Sequence, residues 1–156
     1  MKFSAQEEYG LRCLLQIARL GPEGSMTIPD ISRVEGMTPT HVAKLMMILR
    51  KSGFINSTRG HLGGYTLALP AQQIKVSDVL AALGGKLYDD GFCGRHRGLN
   101  DICTHAVDCS VRSLWQVVQG AVDNVLDKIT LADLLGQAPA RSNVQFGVAR
   151  TREVVV

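Results

Sequence analysis

Long apolar runs are missing from this 156-residue sequence. No stretch approaches the ~18 consecutive apolar residues a bilayer span requires, so no membrane role is expected. Residues Met1 to Glu8 carry two acids and no apolar stretch, so no secretory signal is expected either, and the expected compartment is the cytoplasm. There thiols stay reduced, which makes the four cysteines ligands, reactive groups or core filler rather than disulfides. None of them forms a CxxC pair. Internal repeats are absent, and a content of 46% hydrophobic and 20% charged residues excludes wholesale disorder.

One further absence is local. Between Glu35 and Asp78 there is no carboxylate, yet Lys44, Arg50, Lys51, Arg59 and Lys75 fall there, with His41 and His61. Residues 1–70 hold 8 Lys/Arg against 5 Asp/Glu, whereas residues 71–156 hold 9 of each. A one-sign stretch of this kind is the electrostatic footprint of a phosphate-binding surface.

Periodicity predicts a helix over 3–20, stopped by Gly21-Pro22. Thr27-Ile28-Pro29-Asp30 starts a short second helix that Gly36 ends, and Thr38-Pro39 starts a third that runs to about Ser52. The period then drops to two. Residues 54–58 and 65–69 read as strands around the glycine-rich basic tip Arg59-Gly60-His61-Leu62-Gly63-Gly64, and Pro70 closes the hairpin. Helix, short helix, helix and basic hairpin is the order of a winged helix-turn-helix, in which the third helix enters the major groove. The expected DNA-binding residues are Thr38, Thr40, His41 and Lys44 at the start of that helix, Arg50 and Lys51 at its end, and Arg59, Gly60, Gly63 and Gly64 in the wing.

A fourth helix is expected over 76–83, followed by a loop-like segment from Gly84 to Asp108 and a long helix over about 110–128. Val111, Leu114, Trp115, Val118, Val122, Val125, Leu126 and Ile129 form one apolar stripe along that helix. A small DNA-reading head offers little for the stripe to pack on, so it reads as a dimerisation helix. Thr130-x-x-Asp133 caps a last short helix over 131–135, and a flexible tail is expected from Gly136 onward. The expected fold is mainly α: a winged helix-turn-helix domain over 1–84 with a two-stranded wing, a cysteine loop over 85–109, a dimerisation helix and cap over 110–135, and the tail over 136–156.

Cys13 sits on an apolar helix face and reads as packing. The other three cysteines, Cys93, Cys103 and Cys109, are spaced Cys-x9-Cys-x5-Cys in a polar, glycine-rich loop. Clustered thiols suggest a soft metal site. Without CxxC the spacing favours an iron–sulfur cluster over structural zinc, with redox-active thiols lacking any metal as a further alternative. Arg95 and Arg97 are expected to offset the cluster's negative charge. An enzyme reading, a thiol redox protein, lacks both CxxC and a substrate-pocket motif, so no catalytic residue is expected.

These features together resemble the IscR/NsrR/RirA family of bacterial iron–sulfur transcription regulators, the Rrf-type winged-helix repressors. The resemblance covers nearly all of residues 1–135. It rests on Met1-Lys2-Phe3-Ser4, Gly36-Met37-Thr38-Pro39-Thr40-His41-Val42-Ala43-Lys44, Arg59-Gly60-x-x-Gly63-Gly64-Tyr65, the cysteine loop, and Ile129-Thr130-Leu131-Ala132-Asp133-Leu134. It implies a homodimer on palindromic promoter DNA, and a 4Fe–4S or 2Fe–2S cluster that senses iron, nitric oxide or redox state. Many members space the cysteines more tightly. Members of the iron–sulfur-assembly type place a histidine ligand three residues after the third cysteine, where this chain has Arg112. Arginine does not ligate, so the fourth ligand comes from elsewhere. The candidates are His96, His105 and Glu8, and the resemblance implies that a carboxylate at the position of Glu8 reaches the partner subunit's cluster. A metal-free or zinc-bound thiol-sensing regulator is the alternative function.

Overall fold

A computed structural model describes residues 4–58, 60, 63–96 and 109–136. Arg59, His61, Arg97, Cys103, His105 and the tail beyond Gly136 therefore lie outside the described residues.

Helix α1 (Ala5–Arg19) opens on a capping box: the Ser4 hydroxyl accepts from the Glu7 amide (3.3 Å) and the Ser4 amide donates to the Glu7 carboxylate (2.6 Å). Helices α2 (Ile28–Glu35) and α3 (Pro39–Lys51) begin alike, with Thr27 and Thr38 as caps and a proline in the first turn. Proline has no N–H to leave unpaired there. Strands β1 (Ile55–Thr58) and β2 (Gly64–Leu67) pair antiparallel, with Ile55 opposite Leu67 and Thr58 opposite Gly64. Met26 adds a single bridge to Tyr65, which ties the wing to the turn between α1 and α2. A 3-10 turn (Ala71–Gln73) leads into α4 (Val76–Gly84).

One core holds these elements together. Leu14 and Ile17 of α1, Ile31 of α2, Leu45, Met46 and Leu49 of α3, Ile55 of β1 and Val79 of α4 are all essentially inaccessible. Each such side chain contributes about 1.5–3 kcal/mol on burial. Cys13 belongs to this core, as its apolar stripe predicts, and burial pushes its thiol up to about 12.

The segment expected to be a loop contains a short helix, α5 (Phe92–Arg95). Four residues give no readable period. Its turn is fixed from outside, by the Asp89 carboxylate on the Arg95 guanidinium (2.8 and 3.0 Å) and by the Tyr88 ring against Phe92. Helix α6 (Ser110–Leu126) follows, and α7 (Leu131–Gly136) returns to the head. There the Leu131 amide donates to the Ile74 carbonyl (2.8 Å), the Val76 amide to the Ile129 carbonyl (2.9 Å), and Leu131 is buried in the same core, with α7 against α1 and the 3-10 turn. Helix α6 behaves differently: Val111, Leu114, Trp115, Val117 and Val125 are all exposed.

Candidate nucleic-acid interface and thiol site

Helix α3 buries Val42, Leu45, Met46 and Leu49, and this fixes which side faces out. At 100° per residue, Thr40, Lys44, Met47 and Lys51 share the opposite face, and all four are exposed. Thr38 is exposed at the N-terminus, with its hydroxyl oxygen accepting from the His41 amide (3.3 Å). Arg50 and Lys51 lie in the last turn, where the helix dipole favours cations. His41 lies on the flank of the exposed face, half-buried against the Tyr9 ring of α1. The nearest carboxylate before the basic window, Glu35, is neutralised: its side chain is 5% exposed, 2.7 Å from Arg12 Nε, and accepts a second bond from Gln16.

In the wing, Thr58 Oγ1 donates to the Gly64 carbonyl (3.3 Å) and accepts from the Gly64 amide (3.2 Å). A Cβ at Gly64 would stand 3.0 Å from the Met26 carbonyl oxygen, so the close bridge between wing and α1–α2 turn leaves little room for a side chain there. Gly60 is exposed at φ +115°, a backbone conformation that glycine alone adopts without strain. The Gly63 amide donates to the Gly60 carbonyl (2.8 Å).

The thiol site is built where α5 meets the start of α6. Cys109 is the N-cap of α6, and its sulfur accepts from the Arg112 amide (3.3 Å). Cys93, on α5, has the Tyr88 hydroxyl 3.9 Å from its sulfur. Both thiols are partly exposed. The Arg112 guanidinium lies near the Cys93 sulfur, and this proximity, with Tyr88 and Cys109 close by, holds its pKa above the ordinary arginine value. Arg112 Nε is buried with no hydrogen-bond partner among the described residues. Burial first, and the Cys93 sulfur second, push the Tyr88 hydroxyl up. Gln119, buried in α6, fixes this corner: its Oε1 accepts from the Tyr88 amide (3.0 Å) and its Nε2 donates to Asp123 (2.7 Å).

His96 stacks on Phe92, with ring centroids 4.1 Å apart, and its Nδ1 lies 2.8 Å from the Phe92 carbonyl. A carbonyl only accepts, so Nδ1 carries the proton, and a neutral ring keeps the Nε2 lone pair free for a metal. Among the described residues no group of three or more His, Cys, Asp or Glu side chains converges, and Glu8 stands exposed on the first turn of α1. Two soft sulfur donors beside a guanidinium with an orphaned buried N–H fit an anionic, sulfur-rich group. Arg95, expected to offset the charge of such a group, is instead bound by Asp89, and Arg112 is the cation against the sulfur.

Sequence reading missed four contributors: Tyr9, Tyr88, Gln119 and this role of Arg112. Gln119 had a weak signal, as a polar residue between Val118 and Val122 on the apolar side of α6. Tyr9 and Arg12, three apart on α1, had the spacing of a helical neighbour pair.

The family model for Rrf2, described as "Iron-dependent Transcriptional regulator", matches residues 3–137. The chain is 37% identical to Protein rrf2 of Nitratidesulfovibrio vulgaris over 138 residues, covering 88% of this chain and 89% of that one. Among solved structures it is similar to IscR of T. potens (31% identity, TM-score 0.68, 88% of each chain covered). It is also similar to CymR, the global cysteine regulator of B. subtilis (28% identity, TM-score 0.65, 86% of this chain and 96% of that one). This chain belongs to the Rrf2 family: it is a DNA-binding transcriptional regulator with a winged-helix fold, and not an enzyme.

Proposed function

We propose that the protein is a cytoplasmic, homodimeric repressor that senses iron, nitric oxide or redox state through an iron–sulfur cluster. The observation that carries the reading is the meeting of Cys93 and Cys109 with Arg112 at the N-terminus of α6. A thiolate-bound cluster is anionic, and it would find there a guanidinium and the positive end of a helix dipole. On this reading Cys93, Cys103 and Cys109 hold the cluster, and the fourth ligand is Glu8 of the partner subunit, with His96 and His105 as the other candidates. The free Nε2 of His96 is what a ligand needs, so the choice between Glu8 and His96 turns on which variant loosens the cluster.

The division of labour follows the chain. Residues 1–84 bind palindromic promoter DNA, 85–109 hold the cluster, and 110–135 dimerise. Thr40, Lys44, Arg50 and Lys51 face the duplex with His41 and the capped Thr38 beside them, and Arg59, Gly60, Gly63 and Gly64 form the wing contact. The exposed apolar residues of α6 support dimerisation, which would set half-sites about one DNA turn apart or a multiple of that.

The test is anaerobic purification with iron and sulfide counts, a visible spectrum, and DNA binding of cluster-loaded and cluster-free protein. Visible absorbance with matched iron and sulfide, lost in each of Cys93→Ala, Cys103→Ala and Cys109→Ala, supports the reading. A colourless protein whose DNA affinity responds to thiol oxidation favours the second reading, a metal-free or zinc-bound thiol sensor, for which the similarity to a cysteine regulator is the support.

A further inference from the structure

Helix α3 reads outward through residues held by the helix itself, but His41 is held by a different helix. Its ring meets the Tyr9 ring of α1 edge-to-face, with centroids 5.6 Å apart and planes at 82°. The other side of this contact is also fixed. The Arg12 guanidinium lies 5.5 Å from the Tyr9 ring centre, and Arg12 Nε is 2.7 Å from the inaccessible Glu35 carboxylate at the end of α2. Gln16 donates to the other oxygen of Glu35, so the carboxylate is held from two positions on α1. Glu35, Arg12, Tyr9 and His41 thus form one chain of contacts across α2, α1 and α3.

We propose that Tyr9 is a positioning residue for sequence reading: it sets the orientation in which His41 meets the base edge, with Arg12 and Glu35 holding Tyr9 in turn. The proposal rests on the reading above that His41 faces DNA. An imidazole on the flank of a recognition helix has two free torsions, and a base edge is read only when its donor or acceptor points correctly. The edge-to-face contact restricts that freedom before DNA arrives, so less of the ordering cost falls on binding. Pairing Glu35 internally also keeps its negative charge from opposing the phosphates next to the reading helix.

The experiment uses full-length protein and a pool of duplexes with a randomised centre, scored for the bases each variant enriches. A fixed non-specific duplex is titrated in parallel over a salt series. His41→Ala identifies the base position that His41 reads. Tyr9→Leu keeps a large apolar side chain without an aromatic face, and Tyr9→Phe keeps the face. Tyr9→Leu is expected to lower discrimination at the His41 position by about three- to tenfold, with the salt slope and non-specific affinity unchanged. Tyr9→Phe is expected to match wild type, and Tyr9→Leu combined with His41→Ala to be no worse at that position than His41→Ala alone.

Wild-type discrimination in Tyr9→Leu overturns the proposal, as does an equal loss at every position together with weaker non-specific binding, which is what a merely structural role would give. Failure of Tyr9→Phe to restore discrimination overturns it as well. If His41→Ala itself leaves every position unchanged, the reader assignment falls and takes the proposal with it. A change in His41→Ala with none in Tyr9→Leu removes the proposal alone.

Discussion

In the head, Leu14, Ile17, Val42 and Leu49 are wholly buried, while on the stripe of α6 Val111 and Leu114 are more than half exposed and Trp115 and Val125 are exposed as well. Both regions have amphipathic helices with comparable apolar stripes. The difference lies in what each stripe meets. Helices α1, α3 and α4 meet one another, and α7 closes over them through Leu131. Helix α6 is attached by a polar hinge instead, in which Gln119 bonds Tyr88 and Asp123, and Lys86 reaches Asp123 at 3.4 Å. A head that satisfies itself and a helix that leaves apolar residues open differ in kind: the first is a packed core, and the second carries the surface on which the proposed dimer would form. The thiol site sits at the junction, with Cys109 as the first residue before α6.

The sharpest way to break this comparison is to replace one leucine in each region. Leu45→Ala should destabilise the protein by about 2–5 kcal/mol, because a packed core does not collapse around the gap. Leu114→Glu should leave thermal unfolding of the separated chain within about 0.5 kcal/mol of wild type while abolishing the dimer in sedimentation and operator binding with it. Equal destabilisation by the two changes would mean that α6 packs within its own chain.

Gly64→Val comes next, with an expected cost of about 1–3 kcal/mol. The new side chain is crowded by the Met26 backbone, and urea unfolding with a wing-contact footprint on DNA reads the loss. Lys44→Ala should leave stability unchanged and lower the salt slope of DNA binding by about one unit, uniformly across sequences. An unchanged slope would remove Lys44 from the phosphate contacts.

The smallest effect separates the cysteines. At pH 8 iodoacetamide should label Cys93 and Cys109 in the cluster-free protein and leave Cys13 unlabelled, as mass spectrometry of the native fold would show. Cys13 is inaccessible and its thiol stays protonated to about 12. The linkage has a fixed sign. Above the ordinary thiol value of 9.0 the unfolded chain loses the Cys13 proton and the folded one keeps it, so this residue's contribution to stability falls as pH rises from there towards about 12. In Cys13→Ser that particular slope should disappear.

How much was legible in advance follows the range of the interactions. The starts of α2 and α3 were readable because Thr27 and Thr38 act on amides three residues on. The wing was readable because a change of period and clustered glycines are local. Helix α5 was not, since what fixes it is an ion pair and two ring contacts over four to six residues in a segment without a stripe. Arg112 was seen as a residue that cannot ligate. Its place against Cys93, nineteen positions earlier, follows only from the way α5 packs on α6.

By itself, then, the sequence determined the order of the helices other than α5, the exposed face of α3, the wing, the buried Cys13 and the presence of an apolar stripe on α6. Each is written in near neighbours, through capping side chains, periodicity and the φ/ψ limits of glycine and proline. Tertiary structure alone decided that Gln119 pins Tyr88, that Arg112 faces Cys93, that Arg95 is taken by Asp89, and that Tyr9 holds His41 from another helix. The Tyr9–His41, Gln119–Tyr88 and Arg112–Cys93 pairs join residues about twenty to thirty positions apart in sequence, and only the packing of the helices brings them within reach of one another.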